Sequence, residues 1–285
     1  MNNYFCGWYF KCQSEQEVIS IIPAIHIEHG KGSCSIQVIT LDGTWNVEFP
    51  YCSFLKKKKT KELEFRIGEN YFSMRGISLN LHKQSFQLEG TITFGQLTSI
   101  GCDIMGPFRY VPYMECRHSV FSMKHTVNGR FRLNGKVYDF QNGIGYIEGD
   151  RGYSFPKQYA WTQCCFNNGS IMLSVANIPI GRFHFTGMIG VVDWNGTQYR
   201  FATYLGAKVV NIQNGTVMIK QGNMTLTVKQ LEKQGQTLYA PVNGQMHRTI
   251  HESPACKVMY RLERGGEIIL LETSDMASFE YEYPF

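Results

Sequence analysis

The chain of 285 residues lacks the features that mark several large function classes. No stretch approaches the ~18 apolar residues of a membrane-spanning helix, and the opening Met-Asn-Asn-Tyr-Phe-Cys has no basic region leading into an apolar one. There is no Gly-x-Ser-x-Gly elbow for a serine nucleophile and no Cys-x-x-Cys pair to begin a zinc site. Charged residues make up only 18% of the chain, and the net charge of +5 arises largely in one run, Lys56 to Lys59 with Lys61. Without that run the chain is near neutral, so it lacks the aromatic-studded basic face of a nucleic-acid binder. The run itself reads as a lysine-blunted strand edge or as a peripheral contact with anionic lipid. Nine scattered cysteines, an odd count that includes the neighbours Cys164 and Cys165, are not a disulfide framework. A cytoplasmic protein is the expectation.

What is present is turn chemistry and alternation. Asn-Gly pairs begin at Asn128, Asn134, Asn142, Asn168, Asn195, Asn214 and Asn243, with Asp42-Gly43 as a related signal. Asn-Gly supplies the two positive φ values of a tight hairpin turn. The flanks alternate: Phe131 and Leu133 precede Asn134-Gly135, and Val137 and Phe140 follow it. Readable strands include Ser35 to Leu41, Ser85 to Phe94, Tyr159 to Phe166, Ile171 to Val175 and Thr225 to Leu231. Short turns favour antiparallel meanders, since parallel pairing needs crossover helices that the sequence does not supply. The predicted fold is all-β, with two antiparallel barrel or sandwich domains, 1–144 and 145–285, around an apolar cavity for one small hydrophobic ligand. Their joint is placed at the glycines Gly143 to Gly145.

Two segments concentrate unusual choices. In Gly143-Ile-Gly-Tyr-Ile-Glu-Gly-Asp-Arg-Gly152, glycines bracket Glu148, Asp150 and Arg151, and Tyr153, Phe155, Tyr159 and Trp161 follow. The glycine spacing is not a dinucleotide fingerprint, which needs a following helix. In a strand Glu148 and Asp150 project to one face and Arg151 to the other, unless the glycines introduce a bulge. In a dry pocket, desolvation and mutual repulsion keep one such acid protonated, as a general acid requires. At a tight turn the same residues form a structural ion pair. Arg151 beside a carboxylate favours its ionised form, which makes a base or a binding anchor equally readable.

The second segment runs Gly106-Pro-Phe-Arg-Tyr-Val-Pro-Tyr-Met-Glu-Cys-Arg-His118 and continues to His125. Cys116, His118 and His125 do not complete a four-ligand zinc set, so no metal is expected. Glu115, His118 and His125 with Tyr110 and Tyr113 fit ligand orientation or proton transfer in a mostly apolar pocket, or else ordinary core polar groups.

At these segments the chain resembles the tocopherol cyclase family, and specifically its bacterial relatives. The resemblance is carried by Gly7-Trp-Tyr-Phe-Lys11, Ile36-Gln-Val-Ile39, Met105-Gly-Pro-Phe108, Pro112-Tyr-Met-Glu-Cys116 with His118 and His125, Gly145-Tyr-Ile-Glu148, Asp150, Gly152, Ser154-Phe-Pro156, Trp161, Gln163 and Ala277-Ser-Phe-Glu280. Relatives often carry an aromatic where this chain has Arg151 and a lysine or similar residue where it has Gly149. The resemblance implies two lipocalin-like domains, related in architecture to carotenoid hydratases, and cofactor-free chemistry. An isoprenoid alkene is protonated, a tertiary cation forms, and a phenol oxygen closes a chroman ring. On that reading Glu148 or Asp150 donates the proton, and Glu115, His118 and Gln163 orient the headgroup. Arg151 tunes the acid; Phe108, Tyr110, Tyr153 and Trp161 line the channel. The binding partner is then an isoprenoid, quinone or lipid. The competing classes are a non-catalytic carrier and an isoprenoid hydratase.

Overall fold

The structure, a computed structural model, describes residues 3–56, 63–83, 85–112, 114–180, 183–232 and 235–284. Tyr113 and most of the polybasic run, Lys57 to Lys59 and Lys61, lie outside them. The chain forms two compact units. One holds 1–99, 118–154 and 240–248; the other holds 100–117, 155–239 and 249–285. The joint expected at 144/145 falls inside a continuous strand, and the chain leaves the first unit after Ser154 instead.

The first sheet contains β1 (Tyr4–Gln13), β2 (Val18–Glu28), β3 (Lys31–Thr40), β4 (Thr44–Pro50), β5 (Phe54–Lys56), β6 (Glu64–Ile67), β7 (Asn70–Ser73), β8 (Gly76–Lys83), β9 (Phe86–Phe94), β10 (Cys116–Leu133) and β11 (Lys136–Gly152). Their order is β4-β3-β2-β1-β11-β10-β9-β8-β7-β6-β5. Each strand thus pairs with its chain neighbour, and β1 closes onto β11. The second sheet contains β12 (Tyr159–Phe166), β13 (Gly169–Ile180), β14 (Phe183–Trp194), β15 (Thr197–Ala202), β16 (Lys208–Gln213), β17 (Thr216–Gln221), β18 (Met224–Gln230), β19 (Gln236–Val242), β20 (Gln245–Arg264) and β21 (Glu267–Tyr281). Its order, β15-β14-β13-β12-β21-β20-β18-β17-β16 with β19 on β20, repeats the plan of the first. The only helical elements among the described residues are three short 3₁₀ turns.

Turn chemistry decides the hairpins, with two exceptions. Asn134-Gly135, Asn195-Gly196, Asn214-Gly215 and Asn243-Gly244 have positive φ at both residues and close tight hairpins. Asn168-Gly169 closes one without positive φ. Asn128-Gly129 and Asn142-Gly143 make no turn and lie inside β10 and β11. The Asn128 side-chain oxygen accepts the backbone N–H of Asn142 at 2.9 Å. Gly129 holds φ 125° where a Cβ would meet the Thr91 carbonyl oxygen at 2.3 Å. Here Asn and Gly serve close approach between long strands rather than reversal.

Alternation sets the core. On β1, Trp8, Phe10 and Cys12 enter one apolar cluster with Ile147 of β11, and Phe10 meets the rings of Phe72 and Phe94. Truncating a buried ring such as Phe10 costs about 3–5 kcal/mol. The other face of β1, with Tyr9, Lys11 and Gln13, is also buried. A sheet face that is both buried and polar is unusual, because buried polar groups need partners.

Candidate functional site

β11 pairs with β1 without a bulge: Gly7 faces Asp150, Tyr9 faces Glu148 and Lys11 faces Tyr146. Residues 146, 148 and 150 therefore share the polar face, while Ile147, Gly149 and Arg151 lie on the core side. β10 runs beside β11 and brings His118 to the same place. His118 Nδ1 lies 2.9 Å from Asp150 Oδ1, and its Nε2 lies 3.1 Å from Glu148 Oε2. The first contact is a hydrogen bond. The second is an ion-pair approach in which Nε2 makes no aligned hydrogen bond. The Tyr146 hydroxyl donates to the same Glu148 oxygen at 2.5 Å.

Burial disfavours charge on His118, yet Glu148 and Asp150 together outweigh it and hold the imidazole well above its usual pKa. The two acids therefore favour the imidazolium form of the ring. Asp150 is the open end of the group: its side chain is 21% exposed against 6% for Glu148. The group can therefore store a proton, shield it and present it through one carboxylate. The donor atoms of His118, Glu148 and Asp150 lie within 4.8 Å of one another, so the trio has the makings of a cation site as well. The two ring nitrogens face different carboxylates, however, so one metal ion bound through the imidazole would sit beside only one of the acids and would displace the proton there.

The other sequence candidates fall elsewhere. His125 packs on the core side, edge-on to Phe94, with Nδ1 on Ser122 Oγ at 2.9 Å and burial lowering its pKa to about 4. A Cβ at Gly145 would meet His125 Nε2 at 2.3 Å, so that glycine makes room for the ring. Arg151 is exposed and lies on the face opposite both acids, so it is no tuner seated between them. Tyr153 is half-buried, and its carbonyl accepts the Gly244 N–H at 2.7 Å.

In the second unit, Phe108 packs on Phe185 and Tyr204, and Tyr110 is 72% exposed beneath Arg109. Burial raises the Glu115 pKa against the opposing charges of Lys157 and His184. Trp161 and Gln163 are buried on β12, facing Glu280 and Ser278 of β21. A groove of about 490 Å³ in this unit is lined by Phe185, Thr203, Ala207, Val209 and their neighbours, without any of the sequence candidates.

Reading by residue type missed Tyr146, Tyr9 and Lys11. Their signal was the period of two that already joined Glu148 to Asp150.

No curated protein matches the chain. Among solved structures, CghA is 7% identical with a TM-score of 0.60, over 98% of this chain and 88% of that one. A protein assigned as an AttH of Nitrosomonas europaea is 9% identical with a TM-score of 0.57, over 100% and 93%. Kievitone hydratase of Nectria haematococca is 8% identical with a TM-score of 0.56, over 98% and 89%. At such identities the likeness is one of fold. In sequence, residues 74–281 match the family described as tocopherol cyclase-like, a span that includes His118, Glu148 and Asp150. The chain belongs to the tocopherol cyclase-like family.

Proposed function

We propose that the protein is an acid–base catalyst that protonates a carbon–carbon double bond of a hydrophobic, phenol-bearing substrate and so starts ring closure. The observation that carries this reading is the buried imidazolium held between Asp150 at 2.9 Å and Glu148 at 3.1 Å. The proton moves from His118 to Asp150, the more open carboxylate, and from there to an alkene carbon, where the π electrons form the new C–H bond. The neighbouring tertiary carbon becomes a cation and takes the lone pair of the phenol oxygen. The phenolic proton leaves to Asp150, which is ionised again once it has protonated the alkene, and passes from it back to Nδ1 of His118, while Glu148 holds the Nε2 side of the ring. Product and substrate are isomers, so no redox partner enters. Tyr9 and Tyr146 present aromatic groups on the same face, which suits a developing cation. Tyr146 keeps Glu148 oriented through its hydroxyl.

The polar character of this face favours one second reading, hydration, in which water replaces the phenol as nucleophile. The test uses a prenylated hydroquinone with Asp150→Asn and Glu148→Gln. Either amide is expected to reduce turnover about 10²–10⁴-fold while leaving binding nearly unchanged. Full turnover in both amides overturns the acid assignment; saturable binding without product by the unaltered protein makes it a carrier. The rate is expected to fall as pH rises through the elevated His118 value, because the stored proton is then lost.

A further inference from the structure

The second sheet does not close on itself. Its order puts β15 at one edge and β16 at the other, although only residues 203–207 separate them along the chain. β15 pairs with β14 from Ile189 to Trp194, so the earlier part of β14, which carries Phe185 and Thr186, has no described strand on that side. At Met188 the Thr203 hydroxyl stands in for one, accepting the backbone N–H at 2.8 Å. β16 in turn pairs only with β17 among the described strands. The groove of about 490 Å³ is lined from both unpaired edges.

Three observations give this gap the character of a ligand site. Its volume falls within the ~300–1,000 Å³ of small-molecule clefts. Its floor is apolar: Ala207 belongs to the core of the unit, and Val209 and Ile212 pack against that core. A register shift between Val209 and Asn211 adds Val210 at the lip, an apolar side chain that is 53% exposed. One end is positive. Lys208 lines the groove and stands directly opposite Lys220 of β17, and both are exposed. Like charges directly opposed in a sheet destabilise it, a cost that an anion beside them removes. No acid is among the lining residues, and neither lysine takes part in a described ion pair. A bulge and one lysine suffice to protect a free edge. Edge protection does not call for a second lysine facing the first.

We propose that the gap between β14 and β16 binds an aliphatic carboxylate, its chain laid along Phe185, Val209 and Ile212 and its carboxylate held by Lys208 and Lys220. The stretch from Ala207 to Ile212 spans about 15 Å, which suits a chain of about ten carbons. Apolar burial supplies the affinity, and the two ammonium groups select the anion over a neutral molecule of the same length. The site belongs to the unit that lacks the His118 group and does not depend on the acid chemistry proposed above.

The probes are decanoate and decan-1-ol, which share a chain and differ in charge, titrated by calorimetry into the full chain at neutral pH. Decanoate is expected to bind once per chain and about three- to tenfold tighter than the alcohol, the range that two partly exposed charge pairs supply. Replacing both lysines, Lys208→Gln with Lys220→Gln, is expected to bring decanoate down to the affinity of the alcohol. Val210→Asp puts a like charge at the lip and is expected to abolish decanoate binding, with the melting temperature and the turnover of a prenylated hydroquinone unchanged. Equal affinity for the two probes, binding of neither, or unchanged decanoate binding by Val210→Asp overturns the site. Binding that Val210→Asp keeps and Asp150→Asn removes also overturns it, by moving the carboxylate to the acid group. The amide variants of Asp150 and Glu148 are expected to bind decanoate as the unaltered protein does, so failure of this site leaves the acid chemistry standing.

Discussion

The two sheets repeat one strand plan but fill its centre with opposite chemistry. In the first, β1, β11 and β10 place Tyr146, Glu148, Asp150 and His118 together, so the acids share a cation. In the second, the corresponding strands β12, β21 and β20 place Glu280 opposite Trp161 and opposite Glu252, with the Tyr159 hydroxyl donating to Glu280. The strand that carries an imidazole in one sheet carries a carboxyl group in the other. Like groups directly opposed in a sheet repel when charged, whereas an imidazolium between two acids binds them. The scaffold therefore tolerates a buried acid in either setting, and the imidazole is what turns one of them into a proton store.

The largest expected effect comes from breaking that store. His118→Leu removes the cation and leaves Glu148 buried beside Asp150. Losing one partner of a buried pair costs about 3–5 kcal/mol, because the remaining charge keeps its desolvation penalty. Glu252→Gln removes an acid from an opposed pair and strands no opposite charge, so it is expected to cost less than His118→Leu. Denaturant unfolding of both variants checks this. Equal losses would show that the two centres differ in composition but not in energetics.

Acid should next separate the two units. Burial lowers the pKa of His26 and of His125 to about 4, both in the first unit. A folded value below the unfolded ~6.5 means that the unfolded chain binds the proton first, so stability is lost as pH falls from ~6.5 through ~4, by about 3 kcal/mol for each ring. His118 has the opposite sign. Its raised folded value stabilises fully below ~6.5 and loses that contribution only as pH rises through the folded value, so it does not offset the acid loss within this window. In the second unit His184 and His251 are exposed. Hydrogen exchange at pH 7 and pH 5 should therefore show amide protection falling in β1–β3 and β10 while β12–β14 hold, and His125→Gln should flatten the difference. A uniform loss of protection across both sheets breaks the comparison.

How far the chain could be read depended on range. Tyr159–Phe166 is a strand with the ends its sequence shows, because turn residues bound a mostly apolar and aromatic run interrupted only by Thr162 and Gln163. The shared face of Glu148 and Asp150 follows from a period of two. His118 could be seen as a candidate but not as their partner, since 30 and 32 residues separate it from them and only the β10–β11 pairing joins them. Asn128-Gly129 and Asn142-Gly143 misled because the same dipeptide that permits a reversal also permits close strand approach. The joint near Gly143 misled for the same reason: glycines there serve the Gln13 carbonyl and the His125 ring, not a linker.

The smallest and most discriminating effect concerns the two tyrosines. Tyr146 and Tyr159 each donate a hydroxyl to a glutamate, Glu148 and Glu280, and of the two acids it is Glu148 that stands beside an imidazole. Removing a hydroxyl bonded to a charged group costs about 1.5–3 kcal/mol, and both phenylalanine variants are expected to lose stability by similar amounts in that range. Only Tyr146→Phe should alter catalysis, by loosening the carboxylate that stabilises the His118 imidazolium: turnover falls about tenfold and the pH at which the rate declines shifts, with binding unchanged. Tyr159→Phe should keep the rate and its pH profile. Stability and rate measured on the same pair of variants thus separate a hydroxyl that only holds a sheet together from one that also holds an acid in place.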